Sequence, residues 1–187
     1  MKIGPLITFA AYGVAGFFPV IAMLVNEMVK ADSGSTTLFK AKTIYKWKSY
    51  QLTWEQDGST TEFAVTDYDC SADGYKKICD GGKVWFSFSL FEVCTVVVSL
   101  LFICCQQKFP GFRFLNYLVT LGGILCGIIA VAVFFKVGYE DGIKNVSPYK
   151  FSGEFTVRAS PVLSVIALIA HFVAFILLCA TSKKSDD

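Results

Sequence analysis

Histidine is the residue this 187-residue chain has least of, with His171 the single example. A lone imidazole with no cluster of acidic or thiol donors around it argues against a metal centre, which needs three or four converging ligands. Walker loop, dinucleotide fingerprint, nucleophile elbow and HExxH are all missing from the sequence. Nothing is therefore spaced to cradle a phosphate or to activate a serine. Cys-x-x-Cys is missing too, which weighs against thiol–disulfide exchange as the activity. Charge is scarce, at 17% of residues with a formal net of +2. That is too little to draw a polyanion, so no nucleic-acid partner is expected. No cofactor and no enzymatic activity are expected either.

Apolar residues are abundant. They make up 54% of the chain, with 18 phenylalanines, well above an ordinary soluble domain. They fall into four runs, residues 3–25, 84–105, 114–135 and 159–181. At 1.5 Å per residue, about 20 residues cross a hydrocarbon core of roughly 30 Å. The expected fold class is membrane α-helical: a four-transmembrane-helix bundle forming a single tetraspan domain over residues 1–187. The first run exceeds the roughly 7–15 apolar residues of a signal peptide, so it is expected to remain as a span. Pro19 predicts a kink within it. Ala11 and Ala15, with Gly13 and Gly16 nearby, offer a face for close helix packing, as does the Gly123/Gly127 pair, against a partner in this chain or another.

Between the first two runs lies the one long polar segment, residues 30–83. Phe39 to Trp54 is rich in β-forming residues (Thr43, Ile44, Tyr45, Trp47, Tyr50, Leu52), and Asp57-Gly58 signals a hairpin before Thr60 to Thr66. Two or three antiparallel strands are expected. So small a module is marginal alone. A disulfide between Cys70 and Cys79 is the expected staple, worth about 2.5–3 kcal/mol for a ten-residue loop. Residues 106–113, with Pro110-Gly111, read as a tight turn; residues 137–158 form a second polar loop, and 182–187 a short tail.

Lys2, Lys108, Arg113, Lys183 and Lys184 fall on one side of such a bundle, which predicts cytosolic N- and C-termini in a plasma-membrane protein and an extracellular position for the polar module. Cysteine usage agrees: Cys70 and Cys79 then lie in an oxidising compartment, while Cys104, Cys105 and Cys179 sit at cytosolic helix ends. Those three are candidate palmitoylation sites, or simply small apolar residues at a helix end. Asn145-Val146-Ser147 is a candidate glycosylation sequon on the outer side.

Four spans, a first outer loop of strand-like character with Trp47, Trp54, Cys70 and Cys79, and a shorter second loop together resemble the claudin-like tetraspan superfamily, which includes claudins, peripheral myelin protein relatives, channel γ-subunits and, more distantly, amastins. The chain has no Gly-Leu-Trp, Tyr68 stands where that family's last loop tryptophan is expected, and Lys83 stands near the basic residue that often opens its second helix. The resemblance implies assembly through protein contacts in the membrane rather than catalysis.

Two further features carry expectations. Glu92 is the one acid inside an apolar run, about 12 Å below the outer edge, and His171 lies about 18 Å below it. An intramembrane polar pair is predicted, either a clasp between helices or part of an ion or proton path. In the polar module, Lys40, Lys42, Lys46 and Lys48 form one charge run, and Glu55, Asp57, Glu62, Asp67, Asp69 and Asp73 another. Either these pair across the sheet, or they face partners, with Tyr45, Tyr50, Trp47 and Trp54 as aromatic anchors. Alternating lysines also suit an exposed edge strand. The expected function is non-catalytic: contact with other membrane proteins or with copies of itself, in adhesion or as an accessory subunit among membrane lipid. The alternative is a small channel or transporter using Glu92 and His171.

Overall fold

The computed structural model describes residues 3–32, 40–56, 59–105, 109, 111–143 and 155–183. In chain order they form α1 (Ile3–Val25), β1 (Glu27–Asp32), β2 (Lys40–Lys46), β3 (Ser49–Gln56), β4 (Ser59–Asp67), α2 (Asp73–Cys105), α3 (Gly111–Val133), a π-helical continuation (Phe134–Ile143), β5 (Phe155–Val157) and α4 (Ala159–Lys183). Four helical stretches are long and apolar enough to cross a membrane, at Leu6–Val25, Tyr75–Cys105, Gly111–Ile143 and Ala159–Ala180. The chain divides into two compact units: Met1–Leu24, Phe86–Val131 and Leu163–Asp187 in one, Val25–Trp85 and Ala132–Val162 in the other.

Each helix buries a seam at alternating spacings of three and four. On α1 it is Thr8, Tyr12, Ala15, Pro19 and Ala22; on α2 it is Trp85, Ser89, Glu92, Val96, Ser99 and Ile103. On α3 it is Asn116, Thr120, Gly123, Gly127 and Ala130; on α4 it is Ser160, Ser164, Ala167, His171, Ala174 and Leu178. A mean period of 3.5 keeps one stripe facing its neighbours along a bundle. Small and polar residues dominate these seams, while Phe17, Leu24, Phe91, Leu101, Phe114, Leu125 and Ile176 point outward. Close backbone approach is what small seam residues permit, and outward apolar side chains are what a lipid solvent tolerates. Helix α1 runs unbroken through Pro19. It ends where Asn26 adopts φ 53°, a left-handed position that asparagine tolerates better than most residues and that stops a helix cleanly.

The second unit is built on a five-stranded antiparallel sheet of order β4-β3-β2-β1-β5. That is more than the two or three strands the polar loop suggested, and β5 comes from the second loop. Three residues of β5 pair with Val29, Lys30 and Ala31 of β1, and the Arg158 N–H donates to the Met28 carbonyl at 2.9 Å. The lysine-bearing strand is also not an edge. β2 lies in the centre, with Lys40 opposite Glu55 on one side and Lys42 and Lys46 opposite Asp32 and Glu27 on the other. Opposite charges across neighbouring strands favour this order over one leaving the lysines at the rim.

The second long helix begins eleven residues before the apolar run at Val84, at Asp73. Its start is shaped by Asp69, whose Oδ1 accepts the Ser71 N–H at 3.0 Å and the Ser71 hydroxyl at 2.5 Å. That is an Asx turn, which positions the chain for the helix that follows. Cys70 and Cys79 are disulfide-bonded with Cα atoms 5.9 Å apart, tying this turn to the first turns of α2.

Candidate functional site

The bundle unit has a polar interior. Glu92 is 2% exposed and His171 fully buried, and the Glu92 Oε1 lies 3.5 Å from the His171 Nδ1. The two side chains therefore approach each other directly across α2 and α4. Helix α3 makes room for it. A Cβ at Gly123 would overlap the imidazole and the Thr95 hydroxyl, and one at Gly127 would sit 3.0 Å from Glu92 Oε1 and 3.1 Å from Leu168 Cδ1. The GxxxG pair is therefore used inside this chain, against α2 and α4. Gly16 of α1 likewise faces Val96, whose Cγ1 would lie 3.0 Å from an added Cβ.

A hydroxyl ladder lies in the same unit. The Thr120 hydroxyl donates to the Asn116 carbonyl at 2.7 Å. Its single proton is committed there, so the Tyr12 hydroxyl at 2.5 Å and the Ser99 hydroxyl at 3.3 Å both donate to Thr120. Each of α1, α2 and α3 contributes one member. The ladder ends on a backbone carbonyl, and its hydrogen bonds join α1, α2 and α3. The Tyr12 ring meets the His171 ring edge-on at 6.0 Å between centroids. Tyr12, Ser99, Asn116 and Thr120 are not among the candidate residues of the sequence. Their shared spacing of three and four along each run was the signal that places them inward.

In the sheet unit the site residues separate into interior and surface. Trp47 is 3% exposed. Its ring stacks on Trp85 at 5.7 Å and meets Phe134 edge-on at 6.3 Å. Three glycines make the space: a Cβ at Gly82, Gly81 or Gly138 would come within 2.9, 3.2 and 2.6 Å of Trp47 atoms. Tyr45 is buried as well. Trp47 and Tyr45 are therefore core residues, and their assignment as outward anchors is corrected, because Thr43 and Tyr45 alternate on the packed face of β2 and Trp47, in the bend just past its end, continues that face. Tyr50 stacks on Tyr68 at 5.8 Å, and Tyr68 on Tyr75 at 4.9 Å. Burial pushes the Tyr68 phenol well above its ordinary value.

On the surface, Lys42 is half-buried beside its β1 and β3 neighbours, Asp67 is exposed at the end of β4, and Asp69 is exposed in the turn. The Asp69 carboxyl is held below the usual range, first by the Ser71 hydroxyl and then by the Ser71 N–H. Lys40 and Trp54 have strand positions, opposite Glu55 and Ala41, but lie outside the described side chains. Among the described residues β4 and β5 are the two edge strands; β4 is nine residues long, with Val65 54% exposed. Cys104 and Cys105 are exposed free thiols in the last turn of α2, and Cys179 is a half-buried free thiol on α4. Asn145 lies outside the described residues. No protein-family model matches the chain, and a search of curated proteins found no match.

Proposed function

We propose that the protein is a non-catalytic, claudin-like four-span membrane protein whose sheet unit makes contacts with other proteins. The unit lies on the extracellular face of the plasma membrane, with both chain termini in the cytosol. The contacts serve lateral or intercellular assembly with copies of itself, or attachment as an accessory subunit to a larger membrane complex. One observation carries this reading. β4 ends the sheet with nine residues, an outward Val65, and neither lysine nor proline. Proteins usually blunt an open edge with those residues, and an unblunted one is suited to pairing with another chain. Lys40, Lys42 and Lys46 of β2 are instead matched in register to acids inside the sheet, while β4, which ends at Asp67 and is followed by Asp69, forms one outer border.

Affinity purification from the native membrane in mild detergent, with identification of what accompanies the chain, tests the proposal. Recovery of self-assemblies or of one larger membrane protein, lost in Val65→Lys, is the expected result. A monomer with no companion that carries ion flux in vesicles, abolished by Glu92→Gln, would replace contact by conduction.

A further inference from the structure

Among the described residues the bundle unit buries five side-chain polar atoms without a hydrogen-bonding partner: Glu92 Oε1, both ring nitrogens of His171, and both amide atoms of Asn116. Buried polar groups in folded proteins are almost always paired, with protein or with ordered water. Glu92 and His171 differ from Asn116 because they can trade a proton across the 3.5 Å between Oε1 and Nδ1. With one titrating proton between them the pair is neutral overall, either as carboxylic acid and imidazole or as carboxylate and imidazolium. Losing that proton buries a bare carboxylate, and gaining a second buries a bare imidazolium. Both leave an uncompensated charge in an apolar interior.

The surroundings supply no charge to offset either loss or gain. Tyr12 faces the imidazole from α1, Cys126 lies beside Glu92 on α3, and Cys179 on α4 lies near Tyr12. All three are residue types that are uncharged near neutral pH. Arg113 is the other charged residue of this unit whose side chain is described, and it precedes Gly123 by ten residues on α3, about 15 Å along the helix. The Tyr12 hydroxyl donates away to Thr120, so it does not draw the proton off.

We infer that Glu92 and His171 form a proton-binding site that holds one proton jointly, with ordered water on the remaining ring nitrogen. The site stores its proton rather than passing it on. This holds whether or not the sheet unit binds partners, so each idea can fail without the other.

His171 is the single histidine of the chain, so isotopic labelling of histidine reports this site alone in the full-length protein in lipid bilayers. Ring-nitrogen NMR shifts are expected to stay constant between about pH 5 and pH 8, and to show magnetisation transfer from water at Nε2. A wild-type imidazole that titrates in that window with a midpoint near its ordinary value of about 6.5 overturns the inference. An unmoving spectrum with no transfer from water overturns the hydration of the ring. In Glu92→Gln and His171→Gln the thermal midpoint is expected to fall further than in the variant carrying both changes. If the two losses simply add, the sharing is refuted. The wild-type titration needs no variant and decides the question even where a variant does not fold.

Discussion

The bundle unit and the sheet unit are held together by opposite means. In the bundle, small seam residues bring helices close and a few polar contacts join them: Tyr12 and Ser99 to Thr120, and Glu92 beside His171. In the sheet unit one large ring, Trp47, fills a socket of glycines and aromatics, and a disulfide closes the turn at the start of α2. In a lipid solvent, sequestering leucine gains nothing, so small residues and hydrogen bonds are what join helices. In water, a small module is stabilised by excluding water from apolar area, and large aromatics do that most effectively.

Truncating the ring is the strongest way to break that contrast. Trp47→Ala is expected to destabilise the sheet unit by about 3–5 kcal/mol, read as loss of its near-ultraviolet circular dichroism while helical signal persists. Gly82→Ala or Gly138→Ala should fail for the complementary reason, since each added methyl meets the same ring. Next comes the staple. Reduction of Cys70–Cys79 should cost about 2.5–3 kcal/mol, and protease digestion before and after a reductant should show new cleavage between β4 and α2 with the helices intact. Third, Tyr12→Phe removes one donor from Thr120 and should cost about 1 kcal/mol in a steric-trap or detergent-unfolding assay of the bundle. A loss as large as that of Trp47→Ala would mean that the two units are not built so differently.

The smallest expected effect is a response to acid. The Asp69 carboxyl is held below its unfolded value, so its contribution is fully present above the ordinary aspartate range of about 3.9 and fades as the pH falls through the lower folded value. Asp69→Asn should remove that acid limb from the thermal stability of the sheet unit, melting slightly below the wild type at neutral pH and together with it in strong acid. Because Asp69 is exposed, the step is screened by solvent and salt.

Several of these features could be read before any coordinates. Residues 3–25 coincide with α1, and residues 159–181 fall inside α4, because a run of apolar residues long enough to cross hydrocarbon specifies a helix locally. Cys70 and Cys79 announced themselves by proximity in a loop, and Glu92 and His171 by being the polar exceptions at comparable depth. The start of α2 at Asp73 was hidden because its first turns, which include Lys76, Lys77 and Asp80, carry no apolar period. The extension of α3 to Ile143 was hidden for a related reason: Phe134–Ile143 winds as a π-helix, and Lys136, Glu140 and Asp141 read as loop. Trp47 and Tyr45 have the same composition signature whether they anchor a partner or fill a core, and only their tertiary surroundings decide between the two, for Trp47 the glycines packed against its ring.

Local pattern alone settled the helices, the polar module and the cysteine pair, since each depends on residues close together in the chain. Strand order, the central place of the lysine strand, the recruitment of β5, and the convergence of Tyr12, Ser99 and Asn116 around Thr120 depend on pairs far apart in sequence, such as Tyr12 with Thr120 and Val29 with Val157. Such pairings are chosen by packing and charge across elements, and no window along a single chain contains both partners.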